Sequence, residues 1–207
     1  MHQTRSELIK RLPLPRKGTK YVAFAMRSNS KAVSVVVALR DMLKIASTSK
    51  EAKYMVHNKM IRINNKIVTD INEPINLFAI LHADKNYKLG ILETGKFFFE
   101  ETTDSSRHLK IMGKKLVSGG KIQYNLHDGS NLISKEKMDV ADSIIVDSEN
   151  KIKKHISFEK GKNAIVVSGS NVGKTGKINS ISGSNVSISI SGLKEDVTLN
   201  KKHIIAQ

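Results

Sequence analysis

Three groups of residues in this sequence have types and spacings suited to chemistry. The first is the string Gly169-Ser170-Asn171-Val172-Gly173-Lys174-Thr175, which looks like a phosphate-binding Walker loop. That motif needs four residues between its glycines, because the loop backbone must wrap the phosphates. Here there are three, and Ser168 stands where the first glycine belongs. A Walker loop also opens a helix whose N-terminus holds the phosphates. Here Gly176 and an alternating, strand-like pattern follow, and only 32 residues remain after Thr175, too few for the parallel sheet such enzymes need. Nucleotide hydrolysis is not expected. The second group is His127-Asp128, two adjacent residues before Gly129, and it reads as a turn in which Asp accepts backbone N–H groups. No other catalytic set stands out. There is no cysteine, hence no thiol nucleophile, disulfide or cysteine-ligated zinc, and the seven histidines form no pair with ligand spacing. There is no G-x-S-x-G elbow either.

The third group carries the argument. Lys50, Lys53, Tyr54 and His57 follow one another at i, i+3, i+4 and i+7, which places them on one face of a helix. Ala52, Met55 and Val56 form the opposite, buried side. Thr48 stands three before Glu51, the spacing of a capping box, so the helix starts at Ser49. Asn58 is expected as its left-handed stop. Arg40 and Lys44 lie beside the face on a preceding helix. Residues 60–63 and 66–68 read as two short strands joined at Asn64-Asn65, a turn that tolerates positive φ, and they add Lys59, Arg62 and Lys66. Such a face is either a solvated polar surface, as on most amphipathic helices, or a surface that tracks phosphates. A solvated face would interleave both signs. Here the nearby carboxylates are Asp41 and Glu51, and Glu51 is occupied by the cap. The whole-chain charge agrees with the phosphate reading: 35 Lys plus Arg against 19 Asp plus Glu, a formal +16. Such a charge points to a polyanion, nucleic acid first and an anionic membrane second.

These groups are positioned by elements of an α+β chain. Residues 1–30 are expected to be an extended basic arm with Arg5, Lys10, Arg11, Arg16, Lys17 and Lys20, in which Pro13 and Pro15 forbid a continuous helix. Residues 31–95 are expected to form a helix–hairpin domain, its first helix beginning near Lys31 and carrying Val33, Val36, Val37, Leu39 and Leu43 on its apolar face. A strand is expected over residues 75–81 and a polar loop over 83–90. Residues 96–158 change to a period of two, with strands at 97–99, 114–117, 121–126, 131–133, 143–146 and 152–158, consistent with a small central β-barrel. Residues 159–207 are rich in Gly and Ser and alternate again, suggesting a second barrel of SH3-like shape. The apolar runs are five residues or shorter and no signal-peptide pattern opens the chain, so a cytoplasmic location is expected.

The quoted segments resemble one family over nearly the whole chain: ribosomal small-subunit protein four of archaea and eukaryotes, the "e" type. ELIKRLPLP resembles its N-terminal arm, although Glu7 replaces the family's His before Leu-Lys-Arg-Leu. SKEAKYMVHNKMIRINNKIVTDI is similar to its helix–hairpin RNA-binding domain, which also occurs in pseudouridine synthases and tyrosyl-tRNA synthetases. GGKIQYNLHDGSNLI and MDVADSIIVDSENKIKKHISFEKGKNAIVVSGSNVGKTGKI resemble its central domain and terminal KOW motif, whose loop glycines match Gly173 and Gly176. The resemblance implies a non-enzymatic, cofactor-free constituent of the small ribosomal subunit. Its partners would be ribosomal RNA and neighbouring ribosomal proteins, with no membrane and no small-molecule substrate. The eukaryotic C-terminal extension is missing, so an archaeal-like member is expected. The expected RNA contacts are the arm cations, Arg40, Lys44, Lys50, Lys53, Tyr54, His57, Lys59, Arg62, Lys66, and Lys174 and Lys177 of the KOW segment. The rival readings are a KOW-bearing transcription elongation factor and the RNA-binding portion of an RNA-modifying enzyme. A membrane-surface protein is disfavoured, because no basic amphipathic helix has bulky aromatics on its apolar side.

Overall fold

The computed structural model describes residues 2–8, 10–26, 32–190, 192 and 196–207. Its contacts divide the chain into two compact units, residues 1–92 with 96–105, and residues 93–95 with 106–207. The chain is mostly β, with few helices and several sheets.

The first unit is organised around two short helical segments and a five-stranded antiparallel sheet. The sheet runs Lys66–Ile67, Arg62–Ile63, Ile80–His82, Asn86–Ile91, Phe97–Glu101. Four local expectations need correction. Lys31 lies outside the described residues, and the chain from Ala32–Ser34 is a strand paired with Pro74–Asn76, not the start of a helix. Helical backbone begins at Val35–Val37 and widens at Ala38–Met42 into a π-type turn, in which Leu43 N–H donates to the Ala38 carbonyl at 2.9 Å. Valine is stiff at χ1 and fits extended backbone as well as helix, so the apolar run did not discriminate. Residues 75–81 are two strands in different sheets, broken at Phe78, whose φ is +63°. The segment expected as a loop is the strand Asn86–Ile91, with Tyr87, Leu89 and Ile91 buried. Finally, Phe97–Glu101 pairs with Asn86–Ile91 in this unit rather than with the strands that follow.

The second unit contains two five-stranded antiparallel sheets. One has the order Asn131–Ser134, Lys121–Leu126, Arg107–Val117, Ser143–Val146, Ile152–Ile156. It packs Leu109, Ile111, Tyr124, Leu126, Leu132, Met138, Ile144 and Val146 into one core. The other has the order Val197–Asn200, Asn185–Ile190, Thr175–Ser182, Asn163–Val166, Ile204–Ala206, with a core of Ala164, Val166, Ile178, Val186, Ile188, Ile190 and Ile204. A buried lysine ties the two sheets together. Lys110 is 2% exposed, its ammonium donates to the carbonyls of Lys201 and Ile204, and it lies 5.8 Å from the Phe158 ring centroid. Burial, and secondarily the positive charge of Lys201, lowers its pKa to about 8.

Candidate nucleic-acid interface

The helix Ser49–His57 forms where the spacing places it. Thr48 Oγ1 accepts from Glu51 N–H at 3.2 Å, which satisfies one free donor of the first turn. The reciprocal bond is displaced by one residue: Glu51 Oε2 accepts from Ser47 N–H at 2.7 Å rather than from Thr48. The helix ends at His57, but the left-handed residue comes one position later than expected. Asn58 has φ −80°, and Lys59 takes the left-handed conformation at φ +58°. Met60 N–H then reaches back to the Met55 carbonyl at 3.1 Å, a six-to-one closure of the last turn. Ala52 and Val56 are buried and Met55 half-buried, whereas Lys50, Lys53, Tyr54, His57 and Lys59 are all exposed, Tyr54 to 67%.

The hairpin beside it pairs Arg62 with Ile67 and Ile63 with Lys66, through Asn64 and Asn65 at φ +50° and +68°. Asn64 fixes this turn to the sheet, its Oδ1 accepting from Ile80 N–H at 2.9 Å. Arg62 and Lys66 are both exposed, but they sit at alternate positions of the pleat and so point to opposite faces.

Not every expected contact residue is available to a partner. Arg40 forms a two-point pair with Asp41, at 2.7 and 2.9 Å, and donates to Ser49 Oγ at 2.8 Å. That hydrogen bond to Asp41 raises its pKa. Arg40 therefore bridges the first helical segment to the start of the second, while Lys44 remains exposed. The basic arm is closed on itself rather than extended. His2–Thr4 pairs with Tyr21–Ala23, and Leu12, Val22 and Ala25 are buried. Arg5 holds this closure, donating to the Thr19 carbonyl at 2.7 Å, the Pro15 carbonyl at 2.5 Å and Thr19 Oγ1 at 3.1 Å. Gly18 leaves room for it, because a Cβ there would lie 2.9 Å from the guanidinium. Arg11 is half-buried and burial lowers its pKa, whereas Lys10, Arg16, Lys17 and Lys20 are exposed.

In the second unit the Walker-like string is a turn between the antiparallel strands Asn163–Val166 and Thr175–Ser182. Gly173 at φ +87° donates its N–H to the Val166 carbonyl at 2.8 Å, and Lys174 Nζ lies 3.2 Å from Asn171 Oδ1. Lys177 is exposed on the strand that follows. His127 and Asp128 engage separate partners. The His127 Nδ1 accepts from Lys110 N–H, and Asp128 Oδ1 accepts from Ser130 N–H at 2.9 Å, as turn chemistry predicts. Among the described residues no group of His, Asp and Glu is arranged to hold a metal, and no helix is long and apolar enough to cross a membrane. Lys115 and Lys121, both exposed, were missed by the sequence reading. The available signal was the absence of any Asp or Glu from residue 107 through 126.

Comparison with known proteins gives a consistent result. The model of ribosomal family S4e matches residues 83–153. Small ribosomal subunit protein eS4 of Methanocella arvoryzae is 34% identical, over 82% of this chain and 76% of its own length. The protein of the same name from Archaeoglobus fulgidus is 29% identical, over 99% of this chain and 92% of its own. The crystal structure of the 30S ribosomal protein S4e from Thermoplasma acidophilum superposes with a TM-score of 0.71 at 24% identity, covering 86% of this chain and 95% of that one. The similarity in sequence extends well beyond the segment that the family model matches, and on that ground the chain belongs to ribosomal family S4e.

Proposed function

We infer that this chain is a structural, non-catalytic constituent of the small ribosomal subunit, acting in translation in the cytoplasm by binding ribosomal RNA beside neighbouring ribosomal proteins. The observation that carries the RNA reading is the helix Ser49–His57, whose apolar side is buried while Lys50, Lys53, Tyr54 and His57 stand together in water. Phosphate contacts of this kind fix position and carry little sequence information, which suits a protein that braces RNA. The finer division is part of the same proposal. Residues 1–30 act as the basic arm, the helix–hairpin RNA-binding domain runs from 31 through the strand Phe97–Glu101, the central barrel follows up to 158, and 159–207 act as the KOW barrel. The contact set is the exposed cations Lys10, Arg16, Lys17, Lys20, Lys44, Lys50, Lys53, Lys59, Arg62, Lys66 and Lys177, with Tyr54 and His57 stacking on unpaired bases. Arg5, Arg11, Arg40 and Lys174 contribute field and shape more than direct contact, because each is partly buried or engaged within the chain.

The test is binding of the full chain to small-subunit ribosomal RNA over a range of salt. Log affinity should fall linearly with log salt, by about 0.7–0.9 per phosphate neutralised. Replacing Lys50 and Lys53 together with Gln keeps helix propensity nearly unchanged and should lower that slope by about two. A flat salt dependence of the parent, or its absence from the small-subunit peak when a lysate is sedimented, would refute the reading and return the transcription-factor and RNA-modification alternatives.

A further inference from the structure

We propose that the hairpin joining Arg107–Val117 to Lys121–Leu126 is a second RNA-binding element, a finger that sets Lys115 and Lys121 on phosphates and covers Leu116 against a ribose or base. This rests on the ribosomal RNA reading above and extends it to the other unit. The strands pair through Lys115 with Gln123, Leu116 with Ile122 and Val117 with Lys121. Residues across an antiparallel pair share a face. One face of the finger therefore carries Lys115, Val117, Lys121 and Gln123, and the other carries Leu116 with Ile122.

The core under this sheet ends at Ile122, which packs against it, and Leu116 reaches past that edge to 78% exposure. On the opposite face Ile133, paired with Gln123, is 58% exposed. The tip turns through Gly119 and Gly120, both at positive φ, and nothing lies within 4 Å of where their Cβ atoms would be. A leucine held in water at the end of a ribbon is unfavourable for the isolated chain. Covering it by a partner removes apolar surface from water and is favourable. Charge decides which partner. From residue 107 through 126 there is no acidic residue. Arg107 and Lys110 are engaged at the base of the hairpin, and nearer the tip Lys114 pairs with Asp139 at 2.8 Å. Among the described residues no ion pair or hydrogen bond engages the ammonium groups of Lys115 and Lys121. Exposed Lys135 and Lys137 follow the neighbouring strand, near the same end of the sheet. Unengaged cations on the face opposite an apolar tip residue fit RNA, where an aliphatic side chain lies against sugar or base while lysines meet the flanking phosphates.

The chain contains no cysteine, so Ser118→Cys creates a single attachment point at the exposed tip for an iron chelate that cleaves RNA by hydroxyl radicals. The labelled full chain, bound to small-subunit ribosomal RNA transcribed in vitro, should cut the RNA at one localised cluster of nucleotides. Lys115→Gln with Lys121→Gln should lower the salt slope by about two. Leu116→Gln should weaken binding about tenfold with the slope unchanged, the worth of one leucine left uncovered. Circular dichroism confirms that each variant is folded, as expected for exposed positions. If the parent binds with steep salt dependence while both hairpin variants match it at every salt and the tip yields no cuts, the finger is overturned and the ribosomal role stands. A parent that binds no ribosomal RNA overturns both. Leu116→Gln that binds naked RNA normally but is lost from intact subunits places a protein on the tip and overturns the assignment to RNA.

Discussion

The helix Ser49–His57 carries Lys50, Lys53 and His57 in water, and the strand Arg107–Val117 carries Arg107 and Lys110 out of it. Both segments read as basic in the sequence. On the helix the cations keep their hydration, and a phosphate can displace counterions from them at little cost. In the strand each cation is desolvated and held by fixed partners that compensate only part of that cost: Arg107 faces Asp128 and Asn150, and Lys110 faces two carbonyls. A formal charge of +16 therefore overstates what the fold offers to RNA. The cations divide into those that hold protein to protein and those left for a partner, and substitution separates the two kinds by what it damages.

The largest effect is expected from Arg107→Met. Arg107 and Asp128 are 5% and 7% exposed at 3.5 Å, and Arg107 also donates to Asn150 across the sheet end. Removing Arg107 takes the paired cation from Asp128, which keeps its bonds from the Ser130 N–H and hydroxyl, a loss of about 3 kcal/mol. Chemical denaturation measures it, and the refolded protein should keep the parent's salt slope for RNA. A loss under about 1 kcal/mol, or a slope lowered by about one, would move Arg107 to the other side of the comparison. The Lys50, Lys53 pair should do the reverse, lowering the slope and leaving the denaturation midpoint where it was.

A smaller effect is expected at Arg5, where the arm closes. A lysine keeps the charge but cannot present the guanidinium fork to the Thr19 and Pro15 carbonyls together. Arg5→Lys should cost about 1–2 kcal/mol and appear as faster hydrogen exchange and proteolysis of residues 2–23. Lys17→Gln, exposed in the same loop, should leave exchange unchanged. Equal exchange in the two variants would mean that the closure does not depend on the fork.

What the sequence revealed follows from how local each signal is. The face Lys50, Lys53, Tyr54 and His57 was legible because helical period and an N-cap depend on neighbours in the chain, and Asn64-Asn65 because a two-residue turn is nearly self-determined. The strand Asn86–Ile91 was not, since its polar Asn86 and Lys88 hid an alternation whose inward members Tyr87, Leu89 and Ile91 meet partners supplied by remote strands. The first half of Arg107–Val117 was hidden for a similar reason, because Arg107 and Lys110 look like surface residues until Asn150 and the Ile204 carbonyl are brought to them. The division among cations belongs to this second kind. Arg40 is an engaged arginine whose partner, Asp41, stands next to it in the sequence, whereas the partners of Arg5 and Lys110 lie 14 and 94 residues away.

The smallest effect, and the one that isolates a single buried charge, is at Lys110. Its folded-state pKa is about 8, below the ordinary 10.5 it regains on unfolding, with burial as the main cause. Below pH 8 both states hold the proton and the folded state carries the full cost of a buried ammonium. Between about pH 8 and 10.5 the unfolded chain binds more protons than the folded one, so this group adds stability as pH rises. The neutral amine still has two N–H donors for the Lys201 and Ile204 carbonyls, so deprotonation keeps the bridge between the sheets. Lys110→Met cannot titrate and removes the donor from the Ile204 carbonyl, while the Lys201 carbonyl keeps the Ile204 N–H, so it should lower stability at every pH, but the informative quantity is the gradient. Parent stability minus variant stability should grow by roughly 1 kcal/mol at most between pH 7.5 and 8.5, measured by denaturation at fixed ionic strength. A difference that stays level across that range would show that Lys110 keeps an ordinary pKa, and the contrast with the lysines of the exposed helix would then be one of geometry and not of charge.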